Sequence, residues 1–532
     1  MNTEQRYMLA VGLSFLVLMI FYPSLSPRKK PVAPVVKQEE SKKAAESSVV
    51  QEVKAEIAKA ETIELQNDVY DVKFSTLGAT ISELRFKKKW QDGATENIVL
   101  IKPMSDSGAF ALNILGEASP TSQAIYKVEN LDKEGGKITF LYENPGSIRI
   151  RKIFELVNEK SAINARVEIE NLSKQTKELP ISFSSQIYFG KEHGRYEQDQ
   201  LEAFIVPQFS KIKIGKEGKI AKKPFVVTEA IEWTALTRHY FSVIVKPEQN
   251  ATQAEVRSLG NRDGLEAAMH FAPESVSANG ILKKSFLIHA GPEYYDDLKS
   301  FGIGFEETLT QGLWGFFRHW LFEGLRLCKR VSGNYGFAIL LMTFFLKVLF
   351  SPFTHMSFES MRKMQAIQPK MKAIQTQFKN DPARMNKETM ELYKRHKVNP
   401  MGGCLPMLIQ IPVFISFYQV LAQFVELKGE SLFWIQDLTQ PDKLAKIPGI
   451  GFDLNILPLL MIGTMIWQQK VTPQQMTTSP EQAMMMQWMP VVFGFMFYQL
   501  PSGLVLYWTL NNLLTVSHQM IFHHRAQPIP ED

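Results

Sequence analysis

The chain has 532 residues but only two cysteines, Cys328 and Cys404, so disulfides do not hold its polar half together. It has no P-loop, no dinucleotide-type glycine fingerprint and no zinc spacing of Cys and His. An ATPase and a structural zinc protein are therefore disfavoured, and no metal or cofactor is expected. Between residues 60 and 300 no carboxylate pair is clustered in a way that commits to hydrolysis, so no catalytic residue is assigned. The net charge of +6 is small for this length and gives no reason to expect nucleic acid. Charged residues make up 21% and hydrophobic residues 45%, which excludes wholesale disorder.

What is present is unevenly distributed. Of the 8 tryptophans, all but Trp90 and Trp233 lie beyond residue 310, together with most of the Met and Phe. Residues 7–23 form an uncharged apolar run, just long enough to cross about 30 Å of hydrocarbon as a helix. No small-residue cleavage site follows it, which favours an uncleaved anchor over a signal peptide. Five further candidate spans are 336–354, 401–425, 455–471, 484–500 and 502–523. None of the six contains Asp or Glu. Pro412, Pro458 and Pro490 fall inside spans, as membrane bundles tolerate. The turn Pro501-Ser502-Gly503 allows only a tight reversal between antiparallel helices.

Orientation follows from positive charge in short loops. Residues 356–400 carry ten Lys and Arg against four Asp and Glu, a surplus of six positive charges, so this loop is expected in the cytoplasm. Parity then places 24–335 outside and both termini inside. Arg28, Lys29 and Lys30, just outside the first span, pull the other way. Within the loop, Met364, Ile367, Met371, Ile374 and Phe378 share a helical stripe, and Asn380-Asp381-Pro382 marks a turn. A second helical run follows with Met385, Met390 and Leu392. The pattern reads as an antiparallel hairpin with an apolar seam and a basic exterior. Lys363, Lys370, Lys372 and Lys379 make that exterior either a plain connector or a contact surface for anionic lipid, ribosomal RNA or a targeting partner.

Residues 27–60 read as a linker rich in Pro, Ala, Lys, Glu and Ser. From about residue 62 to 300, short alternating runs separated by turn signals indicate a large antiparallel sandwich; examples are 63–86, 137–159, 161–173, 181–189 and 266–273. Sugar-binding sandwiches share such patterns. Glu192, His193 and Arg195 are its densest polar cluster, best read as a solvated loop. Residues 305–330 mix Trp314, Phe316, Phe317, Trp320, Leu321, Phe322, Leu325 and Leu327 with Arg318, His319, Glu323 and Arg326. This suits an amphipathic helix lying in the membrane interface; a helix packed on the sandwich is the alternative.

Lys347 is the notable cation. It lies eleven residues into the second span, about 16 Å along a helix, and no span offers it a carboxylate. A buried ammonium costs at least about 2.5 kcal/mol on insertion scales. It either snorkels to the interface or faces a wet cavity. Thr343, Lys347 and Ser351 share a face, as do Tyr507, Asn511 and Thr515, flanked by Trp508 and Asn512, while Gln410 adds an amide. Polar stripes on several helices favour a water-filled groove. Met485, Met486, Met489 and Met496 could form an adaptable apolar wall or ordinary packing.

The motifs TFFLKVLFSPFT, QPKMKAIQ…KVNPMGGCLPMLIQIPVFISFY and PSGLVLYWTLNNLL resemble the YidC-type membrane protein insertases. The opening MNTEQRYMLAVGLSF and the large insertion after the first span resemble their Gram-negative members. The resemblance implies a multi-domain membrane protein of six transmembrane helices: a five-helix core with a hydrophilic groove, plus a large antiparallel periplasmic β-sandwich. On this frame 1–26 is an N-terminal anchor, 27–60 a linker, 61–304 the sandwich and 305–332 an interfacial helix. Residues 333–355 are the second transmembrane helix, 356–400 the cytoplasmic hairpin, 401–523 helices three to six, and 524–532 the tail. It implies an inner-membrane insertase and chaperone for nascent membrane proteins, acting alone or with the Sec translocon, possible ribosome contact, and no nucleotide, small-molecule substrate or chemical step. It also implies groove positions: Lys347 as the cation, Thr343 as a hydroxyl, Gln410 as an amide, and Tyr507 with Trp508 as the aromatic pair meeting substrate, beside Asn511 on the same stripe. One departure stands out. Gram-negative members usually carry Arg where this chain has Lys347, which lacks the planar, permanent charge. A membrane-anchored periplasmic carbohydrate-binding protein and a small-solute transporter are the alternative functions; six spans exceed what anchoring needs, and no inverted repeat supports transport.

Overall fold

The structure is a computed structural model. It describes residues 60–89, 95–104, 108–114, 121–158, 160–188, 201–259, 263–310, 315–396, 398, 405–447, 452–471 and 480–525. The expected first span, nearly all of the linker, Trp314, the Glu192 cluster and residues 526–532 lie outside these. The chain divides into two compact units, residues 1–293 and 294–532.

Among the described residues the first unit is built of antiparallel sheets, the larger ones of four, five and nine strands, with one short helix, α1 (Glu217–Ile220). Alternation explains its strands. In Ile148–Leu156 every second residue is buried, namely Ile148, Ile150, Lys152, Phe154 and Leu156. The intervening arginines face outward, where Arg149 pairs with Glu170 at 2.7 Å and Arg151 with Glu129 at 2.6 Å. The inward face meets Phe74, whose ring lies 5.3 Å from Phe154 and 5.9 Å from Phe140.

Lys152 breaks the apolar pattern, being 1% exposed among these aromatics. Its ammonium donates to the carbonyls of Gly78 at 2.9 Å, Ala79 at 2.6 Å and Phe110 at 2.9 Å. All three acceptors stand at positive φ, in turns where a sheet ladder cannot pair them (Gly78 65°, Ala79 45°, Phe110 63°). Gly78 is also the only residue type that fits, since a Cβ there would meet the Ser122 carbonyl oxygen at 2.3 Å. Burial pushes the Lys152 ammonium down to about 7, against the hold of the three carbonyls.

The second unit opens with two short helices, α2 (Tyr295–Ser300) and α3 (Glu307–Thr310), followed by α4 (Gly315–Ser332). Next come α5 (Tyr335–Ala366), α6 (Gln368–Gln377), α7 (Pro382–Arg395) and α8 (Leu405–Gln423). The last three are α9 (Ile456–Val471), α10 (Pro480–Phe497) and α11 (Ser502–Arg525). Among the described residues α5 alone is long and apolar enough by itself to cross a membrane; Ile409–Gln423 and Gln487–Phe497 are shorter apolar stretches.

Helix α5 begins on a side-chain cap, with Asn334 Oδ1 accepting from the Gly336 and Phe337 amides at 2.7 and 3.3 Å. It continues past residue 355, the expected end of the span, to Ala366. After Pro352 the sequence contains no breaker until the chain reaches Pro369, so nothing stops the helix earlier. The hairpin therefore starts from a continuous rod. Its seam is Ile367, Met371, Leu392 and Val398, flanked by Met364, Ile374 and Tyr393. Met390, expected in that seam, is exposed, and Tyr393 takes its place by bonding to the Met371 sulfur at 3.1 Å. Asp381 closes the turn, accepting from the Arg384 amide at 3.0 Å.

Helix α4 is apolar on two faces. Leu321, Phe322, Leu325 and Cys328 are buried, whereas Phe316, Phe317, Trp320, Leu327 and Val331 are exposed. The buried side is tied to the end of α8: Phe322 stacks on Phe424 at 3.8 Å, and Arg318 donates to Gln423 at 2.6 Å. Lys329 pairs with the buried Glu430 at 3.2 Å. At the turn before α11, the Ser502 and Gly503 amides donate to the carbonyls of Gln440 and Leu438 at 2.8 and 2.9 Å. A Cβ at Gly503 would meet Leu421 and Ile339 at 3.0 and 3.1 Å, so glycine permits this close approach.

Candidate functional site

Helices α5, α8, α9 and α11 carry the polar residues that the sequence pattern puts on helix stripes. The Lys347 ammonium on α5 donates to the Thr515 hydroxyl on α11 at 2.6 Å. Thr515 in turn donates to the Asn511 carbonyl at 2.6 Å, so its oxygen is oriented to accept. Lys347 is half-buried. An ammonium has three N–H donors, and this is its one protein hydrogen bond among the described residues. No acidic side chain occurs in the stretches 336–354, 401–425, 455–471, 484–500 or 502–523 to neutralise it.

A second polar joint lies on the same helix as Thr515. The Gln410 amide of α8 bonds to the Tyr507 hydroxyl of α11. The Tyr507 ring stacks on Phe417 at 4.6 Å. A third joint connects α11 to α9, with Asn512 donating to the Thr464 hydroxyl at 3.3 Å. Polar side chains thus stitch α11 to three neighbouring helices in a region otherwise packed by apolar groups.

The other expected site residues are placed differently. Thr343 is 1% exposed, and its hydroxyl donates to the Ile339 carbonyl at 2.6 Å, within its own helix. It backs the Lys347 turn rather than presenting a free hydroxyl. Trp508 sits in an aromatic nest, edge-on to Phe414 at 5.3 Å and near Phe497 at 5.4 Å and Phe493 at 6.2 Å. Its indole nitrogen is buried without a hydrogen-bond partner among the described residues. Asn511 is half-buried and contributes its carbonyl to Thr515. Met489 and Met496 of α10 are half-buried, while Met485 and Met486 side chains lie outside the described residues. On the hairpin, Lys363 pairs with Glu359 at 2.7 Å, and Lys370, Lys372 and Lys379 are exposed or nearly so.

Two features were not flagged by the sequence pattern. Asn512 and Thr464 form a direct link, although Thr464 is a single hydroxyl in an apolar run. His518, one turn beyond Thr515, packs its ring against Phe358 of α5 at 5.6 Å.

Comparison with known proteins bears on the whole chain. Residues 62–324 match the family model of the YidC periplasmic domain, and residues 327–528 match that of the 60Kd inner membrane protein. A membrane protein insertase YidC of Geobacter sp. (strain M21) is 33% identical over 88% of this chain and 87% of its own. One from Geotalea daltonii is 32% identical over 97% of this chain and 98% of its own. Among solved structures, a crystal structure of an active YidC insertase with its first transmembrane domain resolved is 19% identical, at a TM-score of 0.37, over 86% of this chain and 91% of that one.

Proposed function

The chain belongs to the YidC family of membrane protein insertases, and from that premise we propose that Lys347 and Thr515 mark a half-depth polar groove through which translocating segments pass. The observation that carries this reading is the Lys347 ammonium, held among the described residues by one hydroxyl and by no carboxylate. Crossing about 30 Å of hydrocarbon is costly for a polar or acidic segment. A wet groove part-way through shortens the apolar path, and a cation there attracts acidic side chains without trapping them. The apolar part of the substrate then leaves along Met- and Phe-rich faces into lipid. Binding and release suffice, so no bond is made or broken.

The topology in this reading has six transmembrane helices, with both termini and the hairpin in the cytoplasm and the sandwich in the periplasm. Residues 1–26 serve as the anchor, and α4 lies in the outer interface with Phe316, Trp320, Leu327 and Val331 toward lipid. Gln410, Tyr507, Trp508 and Asn511 line or support the groove, with Thr343 behind Lys347. The basic hairpin face, with Lys363, Lys370, Lys372 and Lys379, meets the ribosome or anionic lipid, and the Sec translocon is a partner for larger substrates. Changing those four lysines to Glu should reduce ribosome and anionic-vesicle binding; undiminished binding with topology intact would remove the hairpin as a contact.

Depletion of the protein in its host, followed by a protease-protection assay on a small single-span protein, tests the function. Loss of insertion, restored by the intact gene, is the expected result. Normal insertion after depletion, with a defect in sugar binding or solute uptake instead, would overturn it.

A further inference from the structure

His518 stands one helical turn past Thr515 on α11, on the face that reaches Lys347, since residues three apart share a helix face. Its ring lies against Phe358 of α5, and its Nδ1 is buried without a hydrogen-bond partner among the described residues. Phe358 stands three residues past His355 on α5, so the ring lies beside the stretch of α5 that follows Lys347. On both helices the chain direction from Lys347 and Thr515 to the histidines is the direction in which α5 runs into the hairpin. His518 therefore lies between the hairpin end of the bundle and Lys347.

Among the described residues, the helices packed with α11 offer it no free counter-charge. Helix α9 brings Lys470 as its only ionisable group, and α8 brings only Tyr418. Among its described side chains helix α11 carries Tyr507 besides His518. Helix α5 adds Tyr335, Arg362, Lys363 and Glu359, and that carboxylate is tied to Lys363 at 2.7 Å. A protonated imidazole here has no free carboxylate on these helices to pair with, and an incoming substrate carboxylate supplies one.

We propose that His518 is a second, protonation-dependent docking point for acidic side chains of the substrate, met before Lys347 on the way in from the hairpin end. The proposal rests on the insertase reading and on the attraction assigned to Lys347. Histidine is the side chain suited to this, because an imidazole ordinarily changes charge between about pH 5 and 8. Substrate carboxylates stay ionised across that range, so a change in insertion reports the protein. Acidic substrates would then gain from a falling cytoplasmic pH, and neutral substrates would not.

The test uses the full-length protein in vesicles of neutral lipid. Two versions of one single-span substrate are compared, one with several Asp and Glu in its translocated segment and one with Asn and Gln instead. Wild-type protein should insert the acidic version about two- to fivefold better at pH 6 than at pH 8, relative to the neutral version, as a weak ion pair allows. His518→Gln should abolish that gain, and His518→Lys should show it at both pH values. A gain that persists in His518→Gln overturns the proposal. So does a flat wild-type profile in a protein whose Lys347→Glu variant still discriminates against the acidic substrate, a result that leaves the insertase reading standing. If Lys347→Glu treats both substrates alike, the groove reading itself fails.

Discussion

Lys152 in the β-sandwich unit and Lys347 in the helical unit both occupy positions where a strand or helix turns apolar residues inward. They are held in opposite ways. Lys152 is 1% exposed and uses all three donors on backbone carbonyls, with Phe154 beneath it at 5.5 Å. Lys347 is half-buried and has one hydroxyl as its protein partner among the described residues. A saturated cation has nothing left to offer a ligand and acts as a staple for irregular backbone. A cation with donors left over can bind something that comes and goes. The difference matches a stability role for Lys152 and the transport role proposed for Lys347.

The largest effect should come from breaking the staple. Lys152→Met leaves three buried carbonyls unpaired and should destabilise the sandwich by about 2–4 kcal/mol. Lys347→Met, in the same denaturation experiment, should change stability by less than about 1 kcal/mol, because no carboxylate loses a partner and a desolvation cost disappears. Equal losses at the two sites would erase the distinction.

Titration sharpens it. Burial holds the Lys152 ammonium near 7, well below the ordinary lysine value of about 10.4. Below about pH 7 folded and unfolded chains are both protonated there, so its contribution is constant. Between about pH 7 and about 10.4 the unfolded chain binds the extra proton, and stability should rise with pH. The stability of the wild type relative to Lys152→Met should therefore climb through that window; a flat difference would mean that the three carbonyls keep the ammonium charged throughout.

The smallest effect belongs to the hydroxyl that orients Lys347. Thr515→Val keeps shape and removes the acceptor, so insertion of an acidic substrate should fall by about two- to fivefold while stability moves by no more than about 1 kcal/mol. Unchanged acidic-substrate insertion would show that Thr515 does not place the cation.

Much of this was legible in the sequence, for local reasons. Strand alternation located the antiparallel sheets, and apolar runs without Asp or Glu located α5, α8, α9, α10 and α11. The turn at Asn380-Asp381-Pro382 was legible because Asp caps the helix that Pro begins. The polar stripe on α11 put Thr515 among the candidates, but its pairing with Lys347 joins residues 168 apart and needs the packed bundle. Lys152 was missed although its signal was present: Ile148, Ile150, Phe154 and Leu156 fix the buried phase of the strand, and that phase includes residue 152. Its partners sit at positive φ in turns 42 to 74 residues away, which no local pattern announces. The full length of α5 was underestimated because the end of an apolar run is not the end of a helix.

Lys347, with donors left over, is proposed to act on substrate charge. The direct measurement is insertion of an acidic substrate and its neutralised counterpart by Lys347→Arg, Lys347→Ala and Lys347→Glu proteins at matched expression. Lys347→Arg should function, Lys347→Ala should lose ground in proportion to the number of acidic residues, and Lys347→Glu should be the worst with the acidic substrate alone. Equal insertion of both substrates by the Lys347→Glu protein would contradict the claim.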